Sequence, residues 1–457
     1  MLKQDVKKAF RDIVGEDRFL DDPEDLAAYA YDAYVWEFVP DGVILPETTE
    51  EISRIMNIAF KEEIKIVARG AGTNLSGNAV AREGGVIMSL TRMNHILELD
   101  RKNRCAVVEP GVVNAVLQKE AAAIGLFYPP DPASLAVCTI GGNVALNAGG
   151  PRAVKYGVTR DYLMGLEVVL SDGEVIRTGG KTVKNVTGFD LTRLLCGSEG
   201  TLGIITEIIL RLIPLPQATK TMLALFPHLE AVAETVSAIM GEGIVPTTLE
   251  LMDRVIIDVI RGVGGAEFPP DAEALLLIEV DGEEASVEPQ LERVAQFCRA
   301  QGALDVQHAQ TPEEADRLWQ ARRAVAGAIY KKSPSMVTED AVVPVSRLPE
   351  MIKRIGELSR KHRLNVGVVA HAGDGNLHPD IMTDVRDEEE MVRVDRFIRE
   401  MYEEVMALGG ALSGEHGIGI GKDKYITMEL SQRSIELMKG IKRVFDPKNI
   451  LNPGSFL

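Results

Sequence analysis

The sequence predicts an α+β fold that is divided into more than one domain. Its 457 residues correspond to about three folding units at roughly 150 residues per domain. Up to residue 215, strand-like runs alternate with Gly and Asp-Gly turns, whereas helical patterns alternate with short apolar strands after Pro214 and Pro216. This second order is typical of a sheet with helices on one face.

The elements of the first half follow from local patterns. Thr48 and Glu51 have the spacing of a capping box, which predicts the start of a helix with Ile52, Ile55 and Met56 on its apolar face. The remaining predictions are short acidic helices within 1–35, a strand at 64–68, strands within 86–109, a helix ending near Gly125, a loop-rich stretch at 126–160 and strands from there to 215.

The second half alternates helices and strands. Thr311 followed by Pro312 predicts a helix start with an N-cap and a proline at the first helical position. Other helices are predicted near 229–241, 285–301 and 386–408, and a further helix is predicted to end near residue 362. Strands are predicted near 274–280, 341–345 and 365–373.

Composition excludes several classes of protein. The 68 acidic residues against 50 basic ones give a net charge of −18, which argues against binding nucleic acid. The four cysteines form no CxxC pair, so we expect buried thiols in a reducing cytoplasm. The sequence shows neither a signal peptide nor an apolar run of membrane-spanning length.

Glycine-rich stretches suggest a phosphate-containing ligand. Residues 69–77, RGAGTNLSG, directly follow a strand, and backbone amides freed by glycine can converge on a pyrophosphate. The stretch has the glycine spacing of a phosphate-loop NTPase, but Asn78 stands at the lysine position. It also lacks the third glycine of a Rossmann fingerprint, so alone it is equally compatible with a plain tight turn.

Two further stretches of this kind extend the argument. They are TIGGNVALNAGG at 139–150 and GSEGTLGII at 197–205. Three such loops in one domain indicate a single extended ligand, and a dinucleotide has the required length.

A histidine–glutamate pattern in the second half suggests a metal. His371 and His378 bracket a Gly-Asp-Gly turn, and the turn must fold the chain before the two imidazoles can converge. With Glu415 they would form a two-histidine, one-carboxylate set. A structural role for each histidine stays open on spacing alone.

A carboxylate substrate would need a cation, and one predicted helix offers two. Arg322 and Arg323 are adjacent, so they point about 100° apart on a helix and only one can face a site. Two solvated surface arginines are the alternative.

These motifs, taken in order, resemble one family. RGAGTNLSG, YPPDPAS with TIGGNVALNAGG, and KNVTGFDLTRLLCGSEGTLGIIT resemble the FAD-binding domain of the vanillyl-alcohol oxidase / p-cresol methylhydroxylase superfamily. The second half is similar to the D-2-hydroxy-acid branch, which includes glycolate oxidase FAD subunits and D-lactate dehydrogenases. The resemblance covers residues 35–457.

The resemblance implies a fold and a flavin. It implies a two-subdomain FAD-binding domain of the p-cresol methylhydroxylase type at 1–215, an antiparallel-sheet substrate domain at 216–424, and a segment at 425–457 that returns to the FAD domain. Because Thr73 and Asn74 occupy the first loop and His95 is the nearest histidine, noncovalent FAD is expected. The implied FAD contacts are Arg69, Gly70, Ala71, Gly72, Thr73, Asn74, Ser76, Gly77, Pro130, Asp131, Ser134, Thr139, Gly141, Gly142, Asn143, Asn147, Gly149, Gly150, Tyr156, Gly157, Glu199, Gly200, Gly203, Ile204, Ile205 and Asn452.

The resemblance also assigns chemical roles. It implies a divalent metal, zinc by preference, on His371, His378 and Glu415, with His416 as the base. It selects Arg322 as the carboxylate clamp, and Asn376 faces flavin or substrate. Ala326 and Thr338 stand where relatives that use a second carboxylate carry Thr and Lys, which favours a monocarboxylate.

The implied function is oxidation of D-lactate or glycolate to the 2-oxo acid, with hydride transfer to flavin N5, metal-assisted alkoxide formation, and electrons passed to a partner. An iron–sulfur protein or an electron-transfer flavoprotein is the implied acceptor, and a homodimer is compatible. The expected location is cytoplasmic, with association at a membrane through a partner left open. Two alternatives stay open: an electron-carrying FAD subunit without its own substrate, and a zinc hydrolase with a regulatory nucleotide site.

Overall fold

A computed structural model describes residues 2–262 and 268–455 of the chain. They form two compact units. The first comprises Met1–Gly149, Val158–Leu215 and Glu415–Leu457, and the second comprises Gly150–Gly157 and Pro216–Gly414.

The first unit contains a small mixed sheet and a larger antiparallel one. The small sheet has the strand order Phe19–Leu20, Gly42–Ile44, Val86–Ser89 and Ile66–Arg69, and its last three strands are parallel. The five-stranded sheet has the order Ile96–Asp100, Cys105–Val108, Ile204–Arg211, Leu163–Val169 and Val175–Gly179. Leu126–Phe127 pairs separately with Ile213–Pro214.

Helices cover the small sheet and build the main core of this unit. Thr48 accepts a hydrogen bond from the Glu51 amide at the start of helix Thr49–Glu62, which confirms the predicted cap. Ile52, Ile55 and Met56 of this helix are fully buried against the sheet. The remaining helices of four residues or more are Gln4–Val14, Pro23–Ala28, Asn114–Ala123, Ile140–Leu146, Thr159–Tyr162, Leu191–Leu195, Ile426–Glu429 and Gln432–Phe445.

The stretch 126–160, predicted to be loop-rich, contains a helix at Ile140–Leu146. Thr139 caps it by accepting a hydrogen bond from the Gly142 amide. A Cβ at Gly141 would lie 2.5 Å from the Pro110 side chain, so glycine permits the helix to approach that segment. The glycines expected in a loop therefore serve close packing in a short helix.

The second unit is built on an eight-stranded antiparallel sheet, as the sequence predicts. Its strand order is Asp305–His308, Ala218–Phe226, Ala274–Gly282, Thr248–Asp253, Asn365–His371, Asn376–Thr383 and Ser335–Thr338, with Ala341–Val342 also paired to Asn376–Thr383. The predicted strand at 341–345 is thus shortened, because Val345–Arg347 forms a 3-10 turn after Pro344.

Apolar residues of this sheet are buried on both faces. Helices Arg254–Ile260, Pro312–Arg323 and Val325–Tyr330 pack against one face, together with Met252, Leu275 and Leu277. Every residue of strand Ala274–Gly282 except the last is buried, so the covering extends beyond the single face that the sequence indicated. The other helices of this unit are Ala153–Tyr156, Leu229–Gly241, Glu284–Ala300, Leu348–His362 and Glu388–Ala407.

The Gly-Asp-Gly segment is the turn of a β-hairpin. Strands Asn365–His371 and Asn376–Thr383 pair antiparallel, with His371 opposite Asn376 and Val369 opposite His378. Because residues opposite each other share a face, as do residues two apart, His371 and His378 lie on the same face. The prediction that the turn brings the two histidines together is confirmed.

Within 2–262 and 268–455, we find no helix that combines the length and the apolar character needed to cross a bilayer.

Candidate active site

The glycine-rich segments of the first unit enclose a cavity of about 530 Å³, a volume within the usual range of small-molecule sites. Residues of all three segments form its wall. The wall comprises Asp32, Ala33, Ala68, Arg69, Gly70, Ala71, Gly72, Thr73, Asn74, Leu75, Asn78, Ala79, Leu90, Pro110, Pro132, Ala133, Ser134, Cys138, Thr139, Gly141, Gly142, Asn143, Ala145, Leu146, Ala148, Gly149, Glu199, Gly200, Gly203, Ile205, Glu415 and His416.

The first segment is shaped by Arg69 at the end of its strand. The buried guanidinium donates hydrogen bonds to the carbonyls of Tyr31, at 2.7 Å, and Ala79, at 3.0 Å. Gly72 has a φ of +70°, and a Cβ there would lie 2.2 Å from the guanidinium. Arg69 therefore fixes the loop from within, and burial lowers the pKa of its guanidinium.

The second segment brings its backbone close to Glu415, one of the acidic residues of the wall. Thr139, Gly141 and Gly142 belong to the helix start described above. At Gly149, a Cβ would lie 2.8 Å from Glu415 Oε2. Glycine at this position therefore leaves room for the Glu415 carboxylate beside the chain.

His416 and Glu415 enter the cavity wall on a loop that neighbouring side chains hold in place. Glu199 accepts hydrogen bonds from the amides of Ile418 and Gly419, each at 2.8 Å. Ser76 Oγ donates to the His416 carbonyl at 2.7 Å. Burial raises the pKa of the Glu199 carboxyl, although the two amide hydrogen bonds act in the opposite direction. The loop carrying His416 is thus anchored on both sides.

Several predicted FAD contacts lie outside the wall and have visible roles elsewhere. Asn452 Nδ2 donates to the carbonyls of Glu199, at 2.6 Å, and Asn78, at 3.1 Å, so it ties the C-terminal segment to this region. Asn147 Oδ1 accepts from the Arg160 amide. The predicted contacts that do not line the cavity are Ser76, Gly77, Pro130, Asp131, Asn147, Gly150, Tyr156, Gly157, Ile204 and Asn452.

Three of these, Gly150, Tyr156 and Gly157, belong to the second unit. There, Tyr156 OH donates to both carboxylate oxygens of Asp281, at 3.0 and 2.8 Å. Lys155 Nζ also donates to Asp281. In the structure Tyr156 is therefore engaged by the sheet of the second unit.

The two histidines of the second unit form a buried pair. The ring centroids of His371 and His378 are 5.0 Å apart, and the planes are nearly perpendicular. His371 Nδ1 is hydrogen-bonded to Glu250 Oε1. His378 Nδ1 lies 3.9 Å from Asp340 Oδ1. Each histidine thus has a buried carboxylate on its Nδ1 side.

Glu250 is also paired with Arg322, the residue predicted to bind the substrate carboxylate. Arg322 Nε donates to Glu250 Oε2 at 2.8 Å, and the Arg322 side chain is mostly buried. Burial opposes ionisation of Glu250, but His371 and Arg322 outweigh it and lower the pKa of its carboxyl to about 2. The neighbouring Arg323 is exposed and paired with Asp316, so the two arginines have different surroundings.

Asn376 lies beside the same histidines. It is 6% exposed, and its Oδ1 has no hydrogen-bond partner among the described residues. The backbone amide of Asn376 donates to Asp374 Oδ1, so Asp374 has a structural role in the turn. A buried acceptor without a partner is the kind of group that a ligand completes.

Two family models match the chain. The model described as "FAD linked oxidases, C-terminal domain" matches residues 215–456, more than half of the chain, and the model described as "FAD binding domain" matches residues 40–179. The chain belongs to the FAD-linked oxidases.

Relatives of this FAD-linked oxidase are similar over nearly the full length. It is 46% identical over 455 residues to the glycolate oxidase subunit GlcD of Bacillus subtilis, covering 99% of this chain and 97% of that protein. It is 37% identical over 423 residues to a D-lactate dehydrogenase of Anaerostipes hadrus, covering 91% of this chain and 89% of that one.

Solved structures confirm the fold of the oxidase. Substrate-bound p-cresol methylhydroxylase aligns with a TM-score of 0.78 at 19% identity, covering 99% of this chain and 97% of that chain. The 4-ethylphenol oxidase of Gulosibacter chungangensis aligns with a TM-score of 0.79 at 20% identity, covering 99% and 96%. The predicted fold type is confirmed, and the hydrolase alternative does not fit an FAD-linked oxidase.

The cavity suits the cofactor of this family. The FAD-binding match spans its first two glycine-rich segments. A Cβ placed on Gly200 would meet no atom closer than 3.7 Å, so the space beside its backbone is open to a ligand. Gly200 has a φ of +73°, which favours glycine there. The residues present therefore fit a bound dinucleotide.

The donor set of the second unit likewise fits a metal. The hydrogen bond between His371 Nδ1 and Glu250 has the arrangement that orients histidine ligands in metal sites, and the imidazole of His378 lies beside it, with its Nδ1 3.9 Å from Asp340 Oδ1. Glu415 belongs to the first unit, so its part in a metal site stays a prediction from the sequence.

Several buried acidic residues that lie beside the predicted site residues were not predicted from the sequence. Asp32 in the cavity wall accepts hydrogen bonds from the amides of Tyr34 and Ala79, and its burial raises the pKa of its carboxyl. Glu250 was not predicted either, although an acidic residue in the middle of the apolar strand TLELMD was a readable signal. Asp340 carried no comparable pattern.

Proposed function

We propose that this FAD-linked oxidase oxidises a small D-2-hydroxy acid, glycolate or D-lactate, to the corresponding 2-oxo acid. Relatives named glycolate oxidase subunit and D-lactate dehydrogenase support this substrate class. The observation that carries the proposal is the placement of His416 in the wall of the cavity that suits FAD.

His416 is proposed to accept the proton of the substrate hydroxyl. The oxidation removes two protons and two electrons from the alcohol carbon and its hydroxyl. FAD, when bound in this cavity, would supply the acceptor for the Cα hydrogen and its electron pair. Glu199 and Ser76 anchor the backbone of the loop that carries His416, which supports a fixed position for a general base.

Arg322 is proposed to bind the substrate carboxylate. Its Nε is occupied by Glu250, which leaves the two terminal nitrogens for the two oxygens of a carboxylate. Asn376, with its unpartnered Oδ1, is proposed to orient the substrate or flavin. Thr338 donates to Asp380, so its hydroxyl is already engaged, in keeping with a substrate that has one carboxylate.

His371, His378 and Glu415 are proposed to hold a divalent metal, zinc by preference. A metal would supply a Lewis acid that lowers the pKa of the substrate hydroxyl. The orientation of His371 is supported by its hydrogen bond to Glu250, and Asp340 Oδ1 lies 3.9 Å from His378 Nδ1.

The electrons are proposed to pass to a protein partner, either an iron–sulfur protein or an electron-transfer flavoprotein. The chain has no cysteine motif for a cluster of its own, which supports a separate acceptor. A cytoplasmic location, with membrane association only through such a partner, and a homodimer belong to the same proposal.

An anaerobic substrate panel tests the proposal. The metal-replete holoenzyme is mixed with glycolate, D-lactate, L-lactate and D-2-hydroxyglutarate, and the flavin absorption is followed. We expect bleaching by glycolate or D-lactate, little by L-lactate, and little by the dicarboxylate. Bleaching by none of a wider panel of D-2-hydroxy acids would overturn the proposal in favour of an electron-carrying subunit.

A further inference from the structure

We propose that Glu250 is a positioning residue that sets Arg322 and His371 in one fixed arrangement, so that substrate binding and metal binding depend on the same carboxylate. This inference rests on the roles given to Arg322 and His371 in the proposed function.

The geometry begins with the burial of Glu250. It lies within strand Thr248–Asp253 and has no exposed surface. Its Oε1 is hydrogen-bonded to His371 Nδ1, and its Oε2 accepts from Arg322 Nε at 2.8 Å. Each oxygen of this buried carboxylate therefore has its own partner.

The three residues come from three separate elements. Glu250 stands directly opposite His371 in the antiparallel pairing of their strands, and Arg322 lies at the end of helix Pro312–Arg323. The strand pairing fixes the distance between Glu250 and His371, so the ion pair then fixes the helix end relative to the sheet. Glu250 is thus the point at which helix and hairpin are joined.

The hydrogen bond also decides which nitrogen of His371 can bind a metal. Because Glu250 Oε1 engages Nδ1 of His371, Nε2 is the ring nitrogen that we assign as the metal ligand. The same reasoning applies to Arg322: with Nε used by Glu250, its terminal nitrogens remain for the substrate. One carboxylate therefore orients both the imidazole of His371 and the guanidinium of Arg322.

Glu250→Gln tests the inference because it keeps the shape and removes the charge. A neutral amide has one accepting and one donating end, so it cannot accept from both neighbours. We expect the Zn²⁺ affinity, measured by competition with a chelating dye, to fall roughly 10- to 100-fold, as for other residues that support metal ligands. We expect KM for D-lactate or glycolate to rise by about tenfold or more, the loss of one charge-assisted hydrogen bond.

Glu279→Gln is the matched control. Glu279 is also a buried carboxylate of this sheet, but its partners are Thr221 and the Trp319 indole. We expect its Zn²⁺ affinity and KM to match the unchanged enzyme. Equal losses in both variants would show a general effect of removing a buried charge and would overturn the inference.

The remaining outcomes are equally decisive. A Glu250→Gln enzyme with unchanged Zn²⁺ affinity and KM, or with only one of them changed, would overturn the shared role. If Glu250→Gln does not fold, Glu250→Asp keeps the charge on a shorter arm and is expected to show both losses to a smaller degree. If the unchanged enzyme oxidises no hydroxy acid, the proposed function fails, and the Zn²⁺ measurement then decides the positioning of His371 separately.

Discussion

At the scale of single residues, backbone contacts hold the loop that carries His416. The His416 carbonyl accepts from Ser76 Oγ, and the amides two and three residues later donate to Glu199. The sequence motif indicated a base and a flavin loop separately. It could not show that two predicted flavin contacts serve to hold the loop of the base, because hydrogen bonds between distant segments leave no local pattern.

His416→Gln is expected to slow flavin reduction by a hydroxy acid by roughly 10²- to 10⁴-fold, since a general base is removed. Flavin content should be retained. The measurement is the rate of anaerobic bleaching in rapid mixing. His95→Gln is the control, because His95 is exposed and paired with Glu109. A His416→Gln enzyme that bleaches at the original rate would refute the assignment.

The adjacent arginines allow a second comparison. Arg322→Met should raise KM for the hydroxy acid by roughly 10- to 100-fold, the value of a hydrogen bond to a charged group, with a smaller effect on kcat. Arg323→Met should leave KM unchanged, because Arg323 is exposed and paired with Asp316. Steady-state kinetics with an artificial electron acceptor measures both. The reverse result would mean that the resemblance selected the wrong arginine.

At the scale of elements, caps and periodicity were predictable. Thr48, Thr311 and the long helices could be located from sequence because their signals lie within a few residues. Strand Asn376–Thr383 was missed as a strand, since its alternating HPDIMT pattern follows directly on a motif whose residue types point to chemistry. Strand Thr248–Asp253 and the helix after it were missed too.

The cap of that helix gives a prediction of pH dependence. Asp253 accepts a hydrogen bond from the Ile256 amide at 2.9 Å at the start of helix Arg254–Ile260. Burial, with a further contribution from the charge of Asp380, raises the pKa of its carboxyl from 3.8 to about 7. Between these values the folded protein retains a proton that the unfolded chain has lost, so the free energy of unfolding falls as pH rises.

Asp253→Asn removes the titrating carboxyl, so the free energy of unfolding should no longer fall with rising pH on its account. Asparagine remains a good capping residue. The variant and the unchanged protein should be similarly stable near pH 4, and the variant should be more stable at pH 8, by on the order of 4 kcal/mol. Denaturant unfolding at several pH values measures the difference. A constant difference across the range would contradict the assigned pKa.

At the scale of the whole molecule, the four cysteines test the prediction of a reduced, well-packed protein. Cys105, Cys138, Cys196 and Cys298 are all free and buried. Burial raises the pKa of each thiol, to about 11 for Cys196 and about 12 for Cys298. We expect negligible reaction with a thiol reagent in the native protein at pH 8 and reaction of all four after unfolding. Rapid native labelling, or fewer than four thiols in the unfolded chain, would contradict the structure.

The fold type and the family were predictable at this scale because the three glycine-rich motifs are long and ordered. The supporting residues around the predicted sites were not predictable in the same way. Asp32 and Glu250 act through burial and through partners from distant segments, and neither property can be read from spacing. The hydrogen bond from Tyr156 to Asp281 could not be predicted for the same reason.

The central claim is that the chain itself oxidises a 2-hydroxy acid through its flavin. A single anaerobic turnover measures this most directly: D-lactate or glycolate is added to the oxidised holoenzyme, and the 2-oxo acid formed is quantified against the flavin reduced. The account predicts one equivalent of pyruvate or glyoxylate per reduced flavin, with the yield abolished on the same time scale by His416→Gln. Flavin that stays oxidised, or flavin that is reduced without formation of a 2-oxo acid, would contradict it.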